Sequence, residues 1–347
     1  MKKLRFGIIG AGGIADRRTL PAMLLADNAE ITAVMEIAPE TAEKLRQKYG
    51  AKRAYTDAAA LLDDSEVEAV YIASPVVFHA AQAKMAADRG KHILIEKPVA
   101  MTAEEGADVV AYCEARGVKI AAGFMMRFGS HVMAMKEAIA DGKIGQVVSA
   151  YTQFTAWVPP ASGNWRLDRK KSGGGALMDM GVHCLDLLEY VTGSRITHVA
   201  SFNETVAFDY DVEDSSTALL RMENGAQCVV QTNFNIPDEA ALWRFEVFGT
   251  KGRLLGDNII GQIDGGTLNA LYLQKEVGYD AAQDHAVAKG ESVVGHFGNM
   301  YTREIKSFAD SVLQNKPLAV PAADAVHIQK VIELCYRSTA ENKIFTI

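Results

Sequence analysis

Phe6-Gly7-Ile8-Ile9-Gly10-Ala11-Gly12-Gly13-Ile14-Ala15 is the stretch that decides how this chain is read. The apolar run from Leu4 to Ile9 is a short buried strand, a glycine turn follows, and a helix begins. The spacing Gly10-x-Gly12-x-x-Ala15 is a dinucleotide fingerprint with alanine in the third place. Gly10 permits the tight turn, Gly12 lets a pyrophosphate approach the backbone, and Ala15 lets helix and strand pack closely. Gly10, Gly12, Gly13 and Ile14 are therefore the residues expected at the phosphates. A second apolar strand, Ile31 to Met35, ends in Glu36, about 20 residues on, where such folds place the acid that binds the ribose.

Working outward, 347 residues suffice for two domains with a large buried area. Hydrophobic residues at 49% and charged residues at 23% are ordinary for a globular protein. A net charge of −7 offers no surface for nucleic acid or anionic membrane. Cys113, Cys184, Cys228 and Cys335 are widely spaced and form no C-x-x-C pair. They read as reduced thiols packed in a core, in a cytoplasmic protein. Lys2, Lys3 and Arg5 precede apolar residues, but Asp16, Arg17 and Arg18 interrupt the run. It reads as strand plus phosphate loop and not as a targeting segment. No run of about 18 apolar residues is available to span a membrane.

The first third alternates strand and helix. Strands are expected at 4–10, 31–36, 69–73, 92–96 and 119–123, and helices at 14–26, 39–49, 78–89 and 102–116. That alternation predicts a doubly wound parallel sheet with helices on both faces. Its ligand crevice lies beyond the carboxyl ends of the strands, which gathers Gly10–Ala15, Glu36, Ser74, Pro75, Glu96, Lys97 and Pro98. After Gly123 the pattern changes. A helix at 130–141 leads into strands at 146–154, 215–222, 226–234, 243–249 and 267–274, and helices at 297–314 and 324–342 close the chain. Strands without helices between them imply a mostly antiparallel sheet. The expected division is a dinucleotide-binding domain over 1–123 and an α/β domain, for substrate and self-association, over 124–347.

A long loop, Trp157 to Gly175, runs into Gly173-Gly174-Gly175 and then a helix carrying Asp179 and His183, four residues apart on one face, with Asp186 close by. The glycine triplet reads as backbone that bends closely around something. Spacing alone favours a structural ion pair. A proton-transfer pair is the second reading, because a neighbouring carboxylate raises an imidazole pKa and fixes its tautomer. A metal site is the third, but no second His or Cys stands at ligand spacing, so no metal is expected.

The chain as a whole resembles the Gfo/Idh/MocA oxidoreductases, named after glucose–fructose oxidoreductase and inositol dehydrogenase. GIIGAGGIA at 7–15, Glu96-Lys97-Pro98, GGGALMDMGVHCLDLL at 173–188 and the helix start from Tyr301 to Phe308 carry the likeness. The resemblance implies a Rossmann domain, a second domain on a large open sheet, and nicotinamide-dependent hydride transfer to or from a secondary hydroxyl of a sugar, cyclitol or related polyol. It places Lys97, Asp179 and His183 in the catalytic set, with His183 as proton acceptor. It places Ser74, Pro75, His79, Glu96 and Lys97 beside the cofactor. Arg127, Trp165 and Arg166 match positions near nicotinamide and substrate.

Glu36 is followed by Ile37 and Ala38 rather than by a cation. A carboxylate accepts the two ribose hydroxyls and repels a 2′-phosphate, so NAD is expected over NADP. The partners expected are a small sugar or polyol and a second copy of the chain, in a homodimer or homotetramer formed through the open sheet face. The same resemblance leaves two other activities open. One is transient use of bound NAD for glycosidic cleavage or sugar rearrangement. The other is non-catalytic regulation by a dinucleotide-binding protein, against which the retained Lys97, Asp179 and His183 argue.

Overall fold

The computed structural model describes residues 2–274, 278, 281 and 288–347. The chain forms two compact units, Met1–Met125 with Asn299–Lys330, and Met126–Gly298 with Val331–Ile347.

In the first unit six parallel strands, β1 (Leu4–Ile9), β2 (Ala29–Met35), β3 (Arg53–Tyr55), β4 (Ala69–Ile72), β5 (His92–Ile95) and β6 (Ile120–Ala122), lie in the order β3-β2-β1-β4-β5-β6. Strand order reverses between β1 and β4, and this is where such sheets open a crevice. Helices α1 (Leu20–Met23), α2 (Pro39–Tyr49), α3 (Ala58–Leu62), α4 (His79–Asp88) and α5 (Ala103–Glu114) make the crossovers. Phe6, Ile8, Ile9, Val70, Tyr71, Ile72, Ile93 and Ile95 are wholly buried. Strands covered on both faces lose alternation and become continuous apolar runs.

Local signals hold at several helix ends. Thr102 Oγ1 accepts from Glu105 N at 3.1 Å and Glu105 Oε2 accepts from Met101 N at 3.0 Å. Gly50 closes α2 in the left-handed region at φ 66°. The first helix departs from expectation. The helix expected over 14–26 runs from Gly13 to Met23 and is not uniform: Ala15–Thr19 is a π-helical turn within it, followed by the α-helical Leu20–Met23. Pro21 has no N–H and its ring would collide with the carbonyl four residues back, so the preceding turn widens. The short elements β3 and α3 carry too few residues to show periodicity and were not expected.

The second unit opens with α6 (Ser130–Ala140) and is built on a nine-stranded sheet. Its strands are β7 (Val147–Thr155), β8 (Ile196–Glu204), β9 (Ser215–Met222), β10 (Gln227–Asn233), β11 (Arg244–Gly249), β12 (Gly252–Asp257), β13 (Thr267–Tyr272), β14 (Glu291–Val293) and β15 (Phe345–Thr346). They run β14-β13-β12-β11-β7-β10-β9-β8-β15, with β7 and β10 parallel and all other neighbours antiparallel. Between β7 and β8 lie α7 (Arg169–Ser172) and α8 (Val182–Thr192). Helix α8 packs on β7 and α6. In β9 the residues Ser216, Ala218, Leu220 and Met222 are buried and those between are not, as expected of a sheet covered on one face.

Helix α9 (Met300–Leu313) belongs to the first unit, whereas the expected division put 299–330 with the second. The Phe308 and Phe6 ring centroids are 5.9 Å apart, Thr302 Oγ1 donates to Ala22 O at 2.9 Å, and Asn28 Nδ2 donates to Asp310 Oδ1 at 2.8 Å. Such contacts join residues almost 300 positions apart, and no local pattern announces them. Helix α10 (Ala322–Glu341) divides at Lys330, its later part falling in the second unit.

Candidate active site

The fingerprint turn lies at the β1–β4 switch point. Gly10 has φ 77°, and a methyl group there would fall 2.6 Å from Ser74 N, so glycine is needed both for conformation and for the approach of the loop after β4. Gly12 N donates to Glu36 Oε1 at 2.7 Å. The N–H that the fingerprint aims at a phosphate thus already holds an anionic oxygen, and the turn suits a pyrophosphate. A methyl group on Gly13 would meet no described atom within 4 Å, so the outer side of the turn is open. Of the nearby cations, Arg46 is tied by Nε and NH2 to Glu43, each at 2.7 Å, and Lys48 pairs with Asp16 at 2.6 Å.

Ser74 Oγ donates to Gln82 Oε1 at 2.5 Å, and Pro75 leads into a single 3-10 turn, Val76–Phe78. His79, expected beside the cofactor, is buried. Its Nδ1 lies 2.8 Å from Pro98 O and its Nε2 lies 2.8 Å from Ser74 O. Both ring nitrogens therefore face backbone carbonyls, one in the loop after β4 and one in the loop after β5, and the neutral ring donates to one of them. Burial lowers the imidazole pKa against the opposing pull of the two carbonyls. Lys97 and Glu96 are half-buried just beyond β5, and the Lys97–Pro98 peptide is cis.

Glu96 is joined to a buried polar group that the sequence did not disclose. Tyr71 OH donates to Glu96 Oε1 at 2.5 Å, and Thr19 Oγ1 donates to Tyr71 OH at 2.9 Å. Burial and the Glu96 carboxylate push the Tyr71 and Tyr301 phenols up, and the buried Glu304 adds to this. The one available signal was a tyrosine within the otherwise aliphatic strand β4.

In the second unit the residues after the glycine triplet form a π-helical turn, Leu177–Gly181, that continues as α8. Asp179 lies in that turn with its side chain 33% exposed, and Arg166 Nε lies 3.4 Å from its Oδ2. The Arg166 guanidinium also sits 4.6 Å from the Trp165 ring centroid. His183, in the first turn of α8, is buried. Asp186 turns to another partner. Arg127 Nε is 3.0 Å from each of its oxygens and NH2 is 2.5 Å from Oδ1, all of it buried. Arg127, expected near the nicotinamide, thus commits its guanidinium to an internal ion pair. Among the described residues no group of three His, Cys, Asp or Glu is placed to hold a metal ion.

What bends the glycine triplet are two residues absent from the sequence reading, Glu213 and Tyr336. Glu213 Oε1 accepts from Gly175 N at 2.9 Å, Leu177 N at 3.1 Å and Tyr336 OH at 2.8 Å. They lie 36 or more residues away from the segment they hold, beyond the reach of a local pattern.

A glycine-turned parallel sheet paired with a large open sheet defines a Rossmann-type oxidoreductase architecture. Residues 4–124 match an oxidoreductase family with an NAD-binding Rossmann fold, and residues 132–255 match the Gfo/Idh/MocA C-terminal domain. The 1,5-anhydro-D-fructose reductase of Ensifer adhaerens is 31% identical over 265 residues, 76% of this chain and 79% of that one. The D-xylose 1-dehydrogenase (NADP(+)) 2 of Haloferax volcanii is 29% identical over 96% of this chain and 97% of its own. In fold, a levoglucosan dehydrogenase solved with NADH and levoglucosan superposes with a TM-score of 0.86 over 100% of both chains, at 23% identity. The chain belongs to the Gfo/Idh/MocA family of oxidoreductases.

Proposed function

We propose that this protein transfers a hydride between NAD and a secondary hydroxyl of a sugar, cyclitol or related polyol. The observation that carries the reading is the fingerprint turn at the switch point, where Gly12 N–H already holds the Glu36 carboxylate. Gly10, Gly12, Gly13 and Ile14 would hold the pyrophosphate, and Ser74 and Pro75 would border it. Bound nicotinamide supplies the hydride acceptor. The second reactant is suggested by relatives whose names specify a sugar reductase and a sugar dehydrogenase.

The protein must also accept the hydroxyl proton, and His183 is assigned as its base. Asp179, with Arg166 against it, would present charge to a polyol. Lys97 would stabilise negative charge on the reacting oxygen. Glu36 favours NAD, since its carboxylate meets a 2′-phosphate with repulsion while Arg46 and Lys48 are committed to acidic partners.

Sugars, inositols and sugar acids, each offered with NAD and with NADP and followed at the nicotinamide absorbance band, test the reading. Net cofactor reduction by a polyol, faster with NAD, is expected. Bond cleavage or rearrangement without net reduction would replace it with transient oxidation, and tight NAD binding without turnover of any polyol would replace it with a regulatory role.

A further inference from the structure

The segment that delivers Asp179 and His183 is held from below by a buried carboxylate. Glu213, just before β9, is 2% exposed. One of its oxygens, Oε1, takes three donors, Gly175 N, Leu177 N and Tyr336 OH. Its backbone carbonyl takes a fourth, Ala176 N at 3.1 Å. The Arg169 guanidinium stands 3.7 Å from Oε2. A methyl group on Gly175 would fall 1.9 Å from Glu213 O, and one on Gly174 would fall 1.9 Å from Tyr336 Oη. Those two glycines exist because Glu213 and Tyr336 press directly on the backbone.

The carboxylate sits where the π turn begins, so it satisfies N–H groups that a helix start leaves unpaired and complements the positive end of the dipole. It also fixes where the turn begins. Asp179 N is bonded to Gly175 O at 3.0 Å, and Gly175 N is bonded to Glu213, so the position of Asp179 is set two hydrogen bonds from the carboxylate. His183 follows one turn later on the continuous helix. Burying a carboxylate is costly, and apolar packing of the same volume is often at least as stabilising. A buried charge aimed at this one backbone site is therefore better explained by position than by stability.

We infer that Glu213, braced by Tyr336, is a positioning residue that sets the height and rotation of the turn carrying Asp179 and His183. This rests on the proposal that His183 accepts the substrate proton. The test compares Glu213→Ala, Glu213→Gln and Tyr336→Phe, each also in a His183→Ala background, with steady-state and single-turnover kinetics, NAD titration and thermal melting. Glu213→Ala is expected to lower kcat by about 10-fold or more with the NAD dissociation constant unchanged. Glu213→Gln keeps an acceptor oxygen in place and recovers most of that loss. In the His183→Ala background the Glu213 change adds nothing.

A Glu213→Ala protein that folds and keeps wild-type kcat overturns the inference. So does an equal, multiplicative loss in the His183→Ala background. If Glu213→Ala does not fold, Tyr336→Phe decides. It retains the carboxylate and removes one donor, and an unchanged kcat there overturns the positioning role. Full activity in His183→Ala alone overturns the reading of the site itself, and the positioning role with it.

Discussion

On the proposed reading, Glu36 sets the cofactor choice. Its Oε1 sits 2.7 Å from Gly12 N, so its carboxylate is fixed at the mouth of the phosphate turn. We expect kcat/KM to favour NAD over NADP by about tenfold or more, a difference of ~1.4 kcal/mol in transition-state binding. Equal values for the two cofactors would sink the assignment. The proposed chemistry rests on two other side chains. His183→Ala should lower kcat by about 10²–10⁴, and Lys97→Met should lower kcat/KM by about 10², both with NAD affinity retained. Weak NAD binding with normal turnover at saturating cofactor would make Lys97 a cofactor residue instead. His79 gives a pH signature. Burial holds its folded pKa below the unfolded value of about 6.5, so the unfolded chain takes up the extra proton first as pH falls. The stability tied to neutral His79 is complete above about pH 6.5 and is lost as pH drops toward the folded pKa. Melting temperatures across that range should fall less steeply for His79→Gln than for wild type, and parallel curves would remove His79 from the acid response.

At the level of elements, two helices pass through π-helical turns near their N-termini, Ala15–Thr19 and Leu177–Gly181. The causes differ. The first widens ahead of Pro21. The second is anchored by a glycine pair pressed against Glu213 and Tyr336. Gly174→Ala and Gly175→Ala should each destabilise the protein by at least about 1–3 kcal/mol, as overpacking does, because neither Glu213 O nor the buried Tyr336 hydroxyl can easily yield. Gly13→Ala meets open space and carries only the left-handed backbone penalty, about 1–2 kcal/mol, from φ 56°. Chemical denaturation of the three variants orders them directly. A milder effect at 174 or 175 than at 13 would show that the turn relaxes around its clamp.

Across the whole molecule, the broad sheet leaves a row of apolar side chains in solvent. Phe202 is 67% and Leu219 54% exposed, and Val229, paired with Leu219, and Tyr151, paired with Val229, lie on the same face. We propose that a second copy covers this face in a dimer or tetramer. Phe202→Glu with Leu219→Glu should shift the light-scattering mass toward the monomer, whereas an unchanged mass would place any association elsewhere. The four cysteines sit on the opposite side of this logic. Burial pushes Cys113 and Cys228 to about 11 and Cys184 and Cys335 to about 12, which makes them unreactive packing residues. Among the described residues no helix is long and apolar enough to cross a membrane.

The sequence by itself determined five of the six strands of the first sheet, all but β3, and the glycine cradle. A strand buried on both faces must be continuously apolar, a turn at φ 77° next to Ser74 requires glycine, and both leave local marks. It also announced a helix after the glycine triplet, because helical signals are local. Strands β8, β12, β14 and β15 stayed hidden, being short or broken by polar residues that find partners only across the sheet. Ser201 shows why, since its hydroxyl donates to Cys335 O at 2.6 Å, 134 residues away. Tertiary structure alone decided that α9 returns to the first unit, that Arg127 takes Asp186, that His79 faces two carbonyls, and that Glu213 and Tyr336 shape the glycine turn. Each depends on hydrogen bonds, packing or charge pairing between residues distant in the chain. Such contacts leave no periodicity in a single sequence and exist only once the chain has closed on itself.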